Sequence, residues 1–259
     1  MQNPHPFALV EAFCTPQPGS GNPAGVVLLG EWPSDQAMQR LAGTLNQAET
    51  AFIGPDQSGK RIRWFTPTVE VRLCGHATLA SAAFLASLEP ADHFQFQSLS
   101  GLLTVGQEND RLVLDFPAFR PEPADVGEAR PAFPNALELW KDRDDWMVVL
   151  PDESAVADYK PDFPVLREMG QRGLAITAPG SCSDFAYRFF APQSGVDEDY
   201  ATGSAQTYLV PFWAERLGKR TLTSLQLSKR QGMFESQLEG QRVKIGGTAR
   251  ILVAGQAEV

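Results

Sequence analysis

Histidine and cysteine are scarce in this 259-residue chain, with three of each, and no Lys/Arg-rich run occurs. His5, His76 and His93 together with Cys14, Cys74 and Cys182 do not provide the spacing of a structural zinc site. The cysteines form no CxxC pair, and their odd number suits a reduced, intracellular protein. Basic residues number 22 against 31 acidic ones, a formal charge of −9. That balance argues against nucleic acid and against anionic membranes as partners. No stretch reaches the ~18 uninterrupted apolar residues of a membrane span. The start, Met1 to Pro6, lacks the positive and apolar regions of a signal peptide. The chain therefore reads as soluble and cytoplasmic. Gly19-Ser20-Gly21-Asn22-Pro23 is not a GxGxxG fingerprint, and neither GxxxxGK[ST] nor GxSxG is present.

What is present is a globular composition, 43% hydrophobic, sufficient for a buried core. Strand-like segments are expected at 7–13, 26–29, 48–53, 61–65, 94–97, 102–105 and 112–115. Ser34 is placed to cap a helix carrying Met38, Leu41 and Leu45. Ala77 to Leu88 contains no charge, and a helix without a polar face is a buried helix. Five prolines between Phe116 and Pro134 mark a linker. Beyond it, strands are expected at 146–150, 174–177, 186–190, 222–227, 232–238, 243–245 and 249–253, with a helix near 163–170. A second mostly apolar helix is expected over 203–217.

The two halves echo each other. Each has a mostly apolar helix opening on Gly, a polar residue and Ala, namely Gly75-His76-Ala77 and Gly203-Ser204-Ala205, the second with charge only near its end. An acidic residue in strand-like sequence precedes each, Glu70 and Asp199. The expected organisation is a half over 1–115, a Pro-rich linker over 116–139 and a half over 140–259. An apolar helix needs a wrapping sheet, so the fold class is α+β, two pseudo-symmetric halves each curling a β-barrel-like sheet around a central helix.

Helix N-termini attract carboxylate or phosphate through free N–H groups and the helix dipole. Gly75 and Gly203 would let such a ligand approach, or would merely permit tight packing of helix on sheet. Two facing helix ends would make one pocket between the halves. Glu49 shares a strand face with Ala51 and Ile53. It is either a carboxylate desolvated toward neutral pKa, as a general acid or base requires, or an edge residue reaching solvent. His76 opens a helix, where the dipole favours neutral imidazole; it is either a proton relay or a packed N-terminal residue. His5 reads as part of a tail and His93 as part of a turn. Within Asp197-Glu198-Asp199, Asp197 reads as solvated, while Asp199 caps the following helix or faces a pocket.

Four ordered segments carry a resemblance. They are Gly21-Asn22-Pro23-Ala24, Asn46 to Phe52, Leu73-Cys74-Gly75-His76-Ala77-Thr78-Leu79-Ala80, and Glu198 to Ala205. Together with Ala191-Pro192-Gln193, Gln226 to Gly232 and Val243 to Gly247, they resemble the signatures of the PhzF-like proteins, named for the phenazine biosynthesis isomerase. The resemblance implies the diaminopimelate epimerase-like fold, with an active site between the two halves and, often, a homodimer. It implies a proton shift without cofactor or metal, within a small anionic, carboxylate-bearing metabolite. Glu49 stands at the position of the glutamate that moves the proton. His76, Asp199 and Ser204 stand at those of groups that orient substrate or relay protons. Asn22, Gly75, Thr202 and Gly203, in the matching motifs, are the expected substrate-binding residues. Tyr200 stands where the family usually has proline, and Arg72 where relatives are often acidic. Cys74 matches one of the two thiol bases of epimerase cousins. Its counterpart is missing, so a single-base shift through Glu49 fits better than a two-thiol racemase. Two rival readings are a hydrolase built on Ser204, His76 and Asp199, and a metabolite-binding protein without catalysis.

Overall fold

The computed structural model describes residues 4–57, 59–108, 110–142 and 145–259; Met1 to Asn3, part of the segment read above as no signal peptide, lie outside them. Two units divide the chain: residues 1–115 with 246–259, and residues 116–245.

The first unit is a mixed sheet with one helix inside and one outside. Strands β1 (His5–Ala12), β2 (Asn22–Leu28), β3 (Glu49–Asp56) and β4 (Gly59–Phe65) follow in order, with helix α1 (Asp35–Leu45) between β2 and β3. A short β5 (Glu70–Val71) leads into helix α2 (Gly75–Leu88), then β6 (His93–Ser98), β7 (Gly101–Glu108) and β8 (Arg111–Pro117). Ser34 caps α1 as its sequence implied, its hydroxyl accepting from the Ala37 N–H at 3.2 Å. Asn46 ends the helix in the left-handed region, a conformation asparagine tolerates. Met38 and Ala42 of α1 pack with Val27, Leu29, Phe52 and Phe65 on the outer face. Alternation along β3 therefore turns Glu49, Ala51 and Ile53 to the other face, toward α2.

Helix α2 is the centre of this unit, with ten buried residues, and it packs against β1, β2, β3 and β7. Its buried hydroxyls are satisfied within the helix: Thr78 Oγ1 donates to the Cys74 carbonyl at 2.6 Å and Ser81 Oγ to the Ala77 carbonyl at 2.7 Å. Back-bonding of this kind lets polar residues sit in a dry core without external partners.

The second unit comprises β9 (Glu122–Ala124), β10 (Glu138–Asp142), β11 (Asp145–Val149), helices α3 (Glu153–Ala157) and α4 (Phe163–Glu168), β12 (Gly173–Pro179), β13 (Phe185–Ala191) and β14 (Val196–Asp199). Helix α5 (Gln206–Leu217) follows, then β15 (Thr221–Gln226), β16 (Gly232–Glu239) and β17 (Arg242–Gly247). Pairing types repeat those of the first unit. β1–β2 is antiparallel, β2–β3 parallel, β3–β4 antiparallel, β4–β6 parallel and β6–β7 antiparallel. In the same sequence β10–β11 is antiparallel, β11–β12 parallel, β12–β13 antiparallel, β13–β15 parallel and β15–β16 antiparallel. In both units the second parallel crossover carries a short strand and then the buried helix. The duplication read from two short echoes thus extends through the topology.

Several expectations need correction. The stretch 116–139 is not a free linker, because Ala129, Phe133, Ala136 and Leu139 are buried in the second unit's core with Leu174, Ile176 and Phe190. It also supports α5. Pro211 lies inside that helix and has no N–H for the Thr207 carbonyl; the Phe119 N–H donates there instead, at 2.8 Å. The last strand, β18 (Ala249–Ala257), belongs to the first unit, pairing antiparallel with β1 and packing on α2. His5 is no tail residue, since it opens β1 opposite Ala257. Helix α5 starts at Gln206 rather than at 203, because residues 203–205 form a tight turn with Gln206 N–H on the Gly203 carbonyl. No helix among the described residues is long and apolar enough to cross a membrane.

Candidate active site

In the first unit, β3 delivers Glu49 and the start of α2 delivers Cys74 and His76. Cys74 is the helix N-cap, and His76 lies buried in the first turn. His76 Nε2 lies 3.4 Å from Glu49 Oε2, and His76 Nδ1 lies 3.4 Å from Cys74 Sγ. Asn22, at the start of β2 and fully buried, directs its Nδ2 at His76 Nδ1 from 3.2 Å. An amide nitrogen only donates, so Nδ1 accepts and the ring proton sits on Nε2, facing the carboxylate. The imidazole is buried, whereas the Glu49 side chain keeps 17% of its surface open. Gly75 is buried at the amino end of α2, whose first-turn N–H groups form a positive terminus. Sequence reasoning named Asn22 as a substrate contact, and the structure turns its amide nitrogen to the histidine. Its partnership with His76 is invisible to spacing, because the two belong to elements far apart in the chain.

In the second unit, Asp199 ends β14 and opens the turn toward α5. Its Oδ1 accepts from the Tyr200 N–H at 3.0 Å and its Oδ2 from Thr202 Oγ1 at 2.6 Å. It therefore holds the turn and does not cap α5, whose N-cap is Ala205. Proline at 200 would lack the N–H that Asp199 binds. Thr202 and Gly203 are buried and Ser204 is half-buried. The Ser204 carbonyl accepts from Thr207 Oγ1 at 2.6 Å.

Gln226 went unremarked as a site residue, and it organises this turn. Its Nε2 donates to the Asp199 carbonyl at 2.6 Å and to Thr202 Oγ1 at 3.2 Å, while its Oε1 accepts from the Thr202 N–H at 2.6 Å. Tyr187 adds a bond from its hydroxyl to the Thr202 carbonyl, and burial pushes that phenol well above its usual range. The signal in the sequence is the inward face of β15, Leu222, Ser224 and Gln226, which is too polar for a simple core. Within the acidic run only Asp197 is exposed, on Arg167; Glu198 pairs twice with the buried Arg188, at 2.7 and 3.0 Å. Arg72 is exposed, and its carbonyl accepts from Ser100. His93 is also exposed, at the start of β6.

A family model described as phenazine biosynthesis-like protein matches residues 10–257. The chain belongs to this family, the PhzF family. An uncharacterized isomerase of Pseudomonas aeruginosa is 46% identical over 257 residues, covering 96% of this chain and 97% of that one. Among solved structures, a phenazine biosynthesis protein of the PhzF family from Enterococcus faecalis superposes with a TM-score of 0.93 at 36% identity, over 99% of this chain and all of that one. A predicted epimerase from Pseudomonas aeruginosa, at 20% identity, shares the fold with a TM-score of 0.76 over 98% of this chain and 99% of its own. The chain thus has the α+β, epimerase-like fold that its motifs implied.

Proposed function

We propose that this protein is an isomerase that moves a proton within a small carboxylate-bearing metabolite, with Glu49 as the general acid and base. The observation that carries the reading is the 3.4 Å approach of Glu49 Oε2 to His76 Nε2, on a carboxylate still partly open to a ligand. Membership of a family with isomerase-named relatives supports the reaction class.

Glu49 takes a proton from a substrate carbon, and the electron pair left behind delocalises into the neighbouring unsaturated or carboxylate system. The same carboxyl group then returns the proton to a different carbon. The proton ends on the molecule it left and no electrons are gained or lost, so the step needs no redox partner. His76 Nε2, with its proton facing Glu49, donates to the carboxylate and holds it in place before the substrate proton is taken. The amides at Gly75 and His76, at the positive end of α2, favour the charge that develops on a substrate carboxylate. Asp199, Thr202, Gly203 and Ser204 are proposed to bind and orient substrate, with Gln226 fixing their turn.

A thermal-shift screen of unsaturated carboxylic acids identifies ligands, and hits are incubated in deuterium oxide and followed by NMR. Deuterium enters the turned-over metabolite with the native protein. Glu49→Gln lowers that rate by about 10²–10⁴-fold, the usual share of general acid–base catalysis. Undiminished incorporation by Glu49→Gln removes the role given to Glu49, and binding without turnover across the whole screen favours a non-catalytic binder.

A further inference from the structure

Three residues of the first unit bring three different metal-binding donors to one place. One ligand atom each from Glu49, Cys74 and His76 lies within 4.8 Å of the others. Tetrahedral zinc, with bonds of about 2.0 Å to nitrogen or oxygen and about 2.3 Å to sulfur, spaces its donors by roughly 3.3–3.5 Å. The Glu49–His76 and Cys74–His76 separations, both 3.4 Å, already have that bite, although they use opposite ring nitrogens. An ion takes only one nitrogen, so the widest pair, up to 4.8 Å apart, must close by as much as about 1.3–1.5 Å, and an ion on Nδ1 takes the place of the Asn22 amide there. Glu49, partly open and with three rotatable side-chain bonds, can make that movement. Cys74, the N-cap, and His76 are held near each other by the first turn of α2. Thiolate, imidazole and carboxylate together select zinc or cadmium over magnesium or calcium.

We propose that Glu49, Cys74 and His76 form a binding site for a single zinc-class cation, with solvent in the fourth position. An ion there occupies the carboxylate and the imidazole that the proton shift uses, so metal binding and turnover exclude each other; this second clause rests on the function proposed above, and the first does not. Zinc would then be a reversible inhibitor.

The test is a cadmium titration of the full chain carrying Cys182→Ser, which removes the exposed thiol. A thiolate-to-cadmium charge-transfer band is expected, saturating at one ion per chain and displaced by zinc. The band is lost in Cys74→Ser. Glu49→Gln, a near-isosteric change at a partly open residue, keeps the band and weakens affinity by more than about tenfold. Absence of the band, its survival in Cys74→Ser, or unchanged affinity in Glu49→Gln overturns the site. Zinc is then added to the deuterium assay on a screened metabolite. Loss of exchange restored by a chelator supports exclusion, whereas binding that leaves exchange unchanged overturns it. Failure of the titration leaves the role of Glu49 standing, so the two readings fail separately.

Discussion

Asn22→Asp exchanges a donor for an acceptor at an amide that faces His76 Nδ1. In the native protein the Asn22 amide donates at 3.2 Å, which places the ring proton on Nε2 opposite Glu49. A carboxylate at the same position accepts only, so Nδ1 must carry a proton. Glu49 still faces Nε2, and the ring is driven to the doubly protonated form. At 3.2 Å and an effective dielectric of ~20, the attraction between the new carboxylate and imidazolium is about 5 kcal/mol. Burial of the carboxylate opposes this, since Asn22 is wholly buried. Even half of that attraction shifts the protonation equilibrium by more than about tenfold. Only three histidines are present, so selective ¹⁵N-histidine labelling with long-range ¹H–¹⁵N spectra reads the state of each ring directly. Native His76 should show an unprotonated Nδ1, and Asn22→Asp should show both nitrogens protonated through neutral pH. Deuterium exchange into substrate should fall by about 10²–10⁴-fold, the share of general acid–base catalysis, because an imidazolium beside Glu49 makes its carboxylate a weaker base. A native spectrum with the proton on Nδ1, or a neutral ring in Asn22→Asp, refutes the tautomer argument. Both readouts of the ring are independent of knowing the substrate.

Three further outcomes follow from the geometry. Gln226→Leu removes the three hydrogen bonds that tie Asp199 and Thr202 together; urea denaturation should show a loss of about 2–4 kcal/mol, and KM should rise more than kcat falls. Gly21→Ala should cost more than about 2 kcal/mol in the same measurement, because φ is +81° there and the added Cβ would meet the Ala12 carbonyl oxygen at 2.6 Å. The Arg216 guanidinium holds the Glu138 carboxyl below its ordinary 4.5. This pair contributes stability above that value and loses it as pH falls through the folded-state pKa. Thermal melts of Glu138→Gln should therefore lie slightly below native at neutral pH, by the equivalent of less than about 1 kcal/mol for a partly exposed pair, and converge in acid.

The buried helix α2 was legible because a run with no polar face has only one place to go, and the cap of α1 because Ser34 carries its own hydrogen-bond acceptor. The start of α5 was not. Gly203, Ser204 and Ala205 repeat the pattern of Gly75, His76 and Ala77, yet one triplet turns and the other is helical. Gln226, brought in from β15, binds the residues just before the turn. Pro211 breaks the usual rule for helix interiors, and the donor that compensates, Phe119, comes from a stretch whose prolines read as linker. In each case the deciding partner lies far along the chain, beyond the reach of local periodicity.

The motifs alone identified the family and the duplicated α+β plan, and they named Glu49, His76, Asp199 and Ser204 as candidates, because residue type and order are carried directly by the sequence. Tertiary structure decided which side chains meet: that Asn22 sets the tautomer of His76, that Cys74 shares the ring with Glu49, and that Asp199 holds a turn instead of capping a helix. It also decided that the last strand completes the first unit. Hydrogen-bond partners and strand neighbours depend on distances through space, and only the folded chain supplies those.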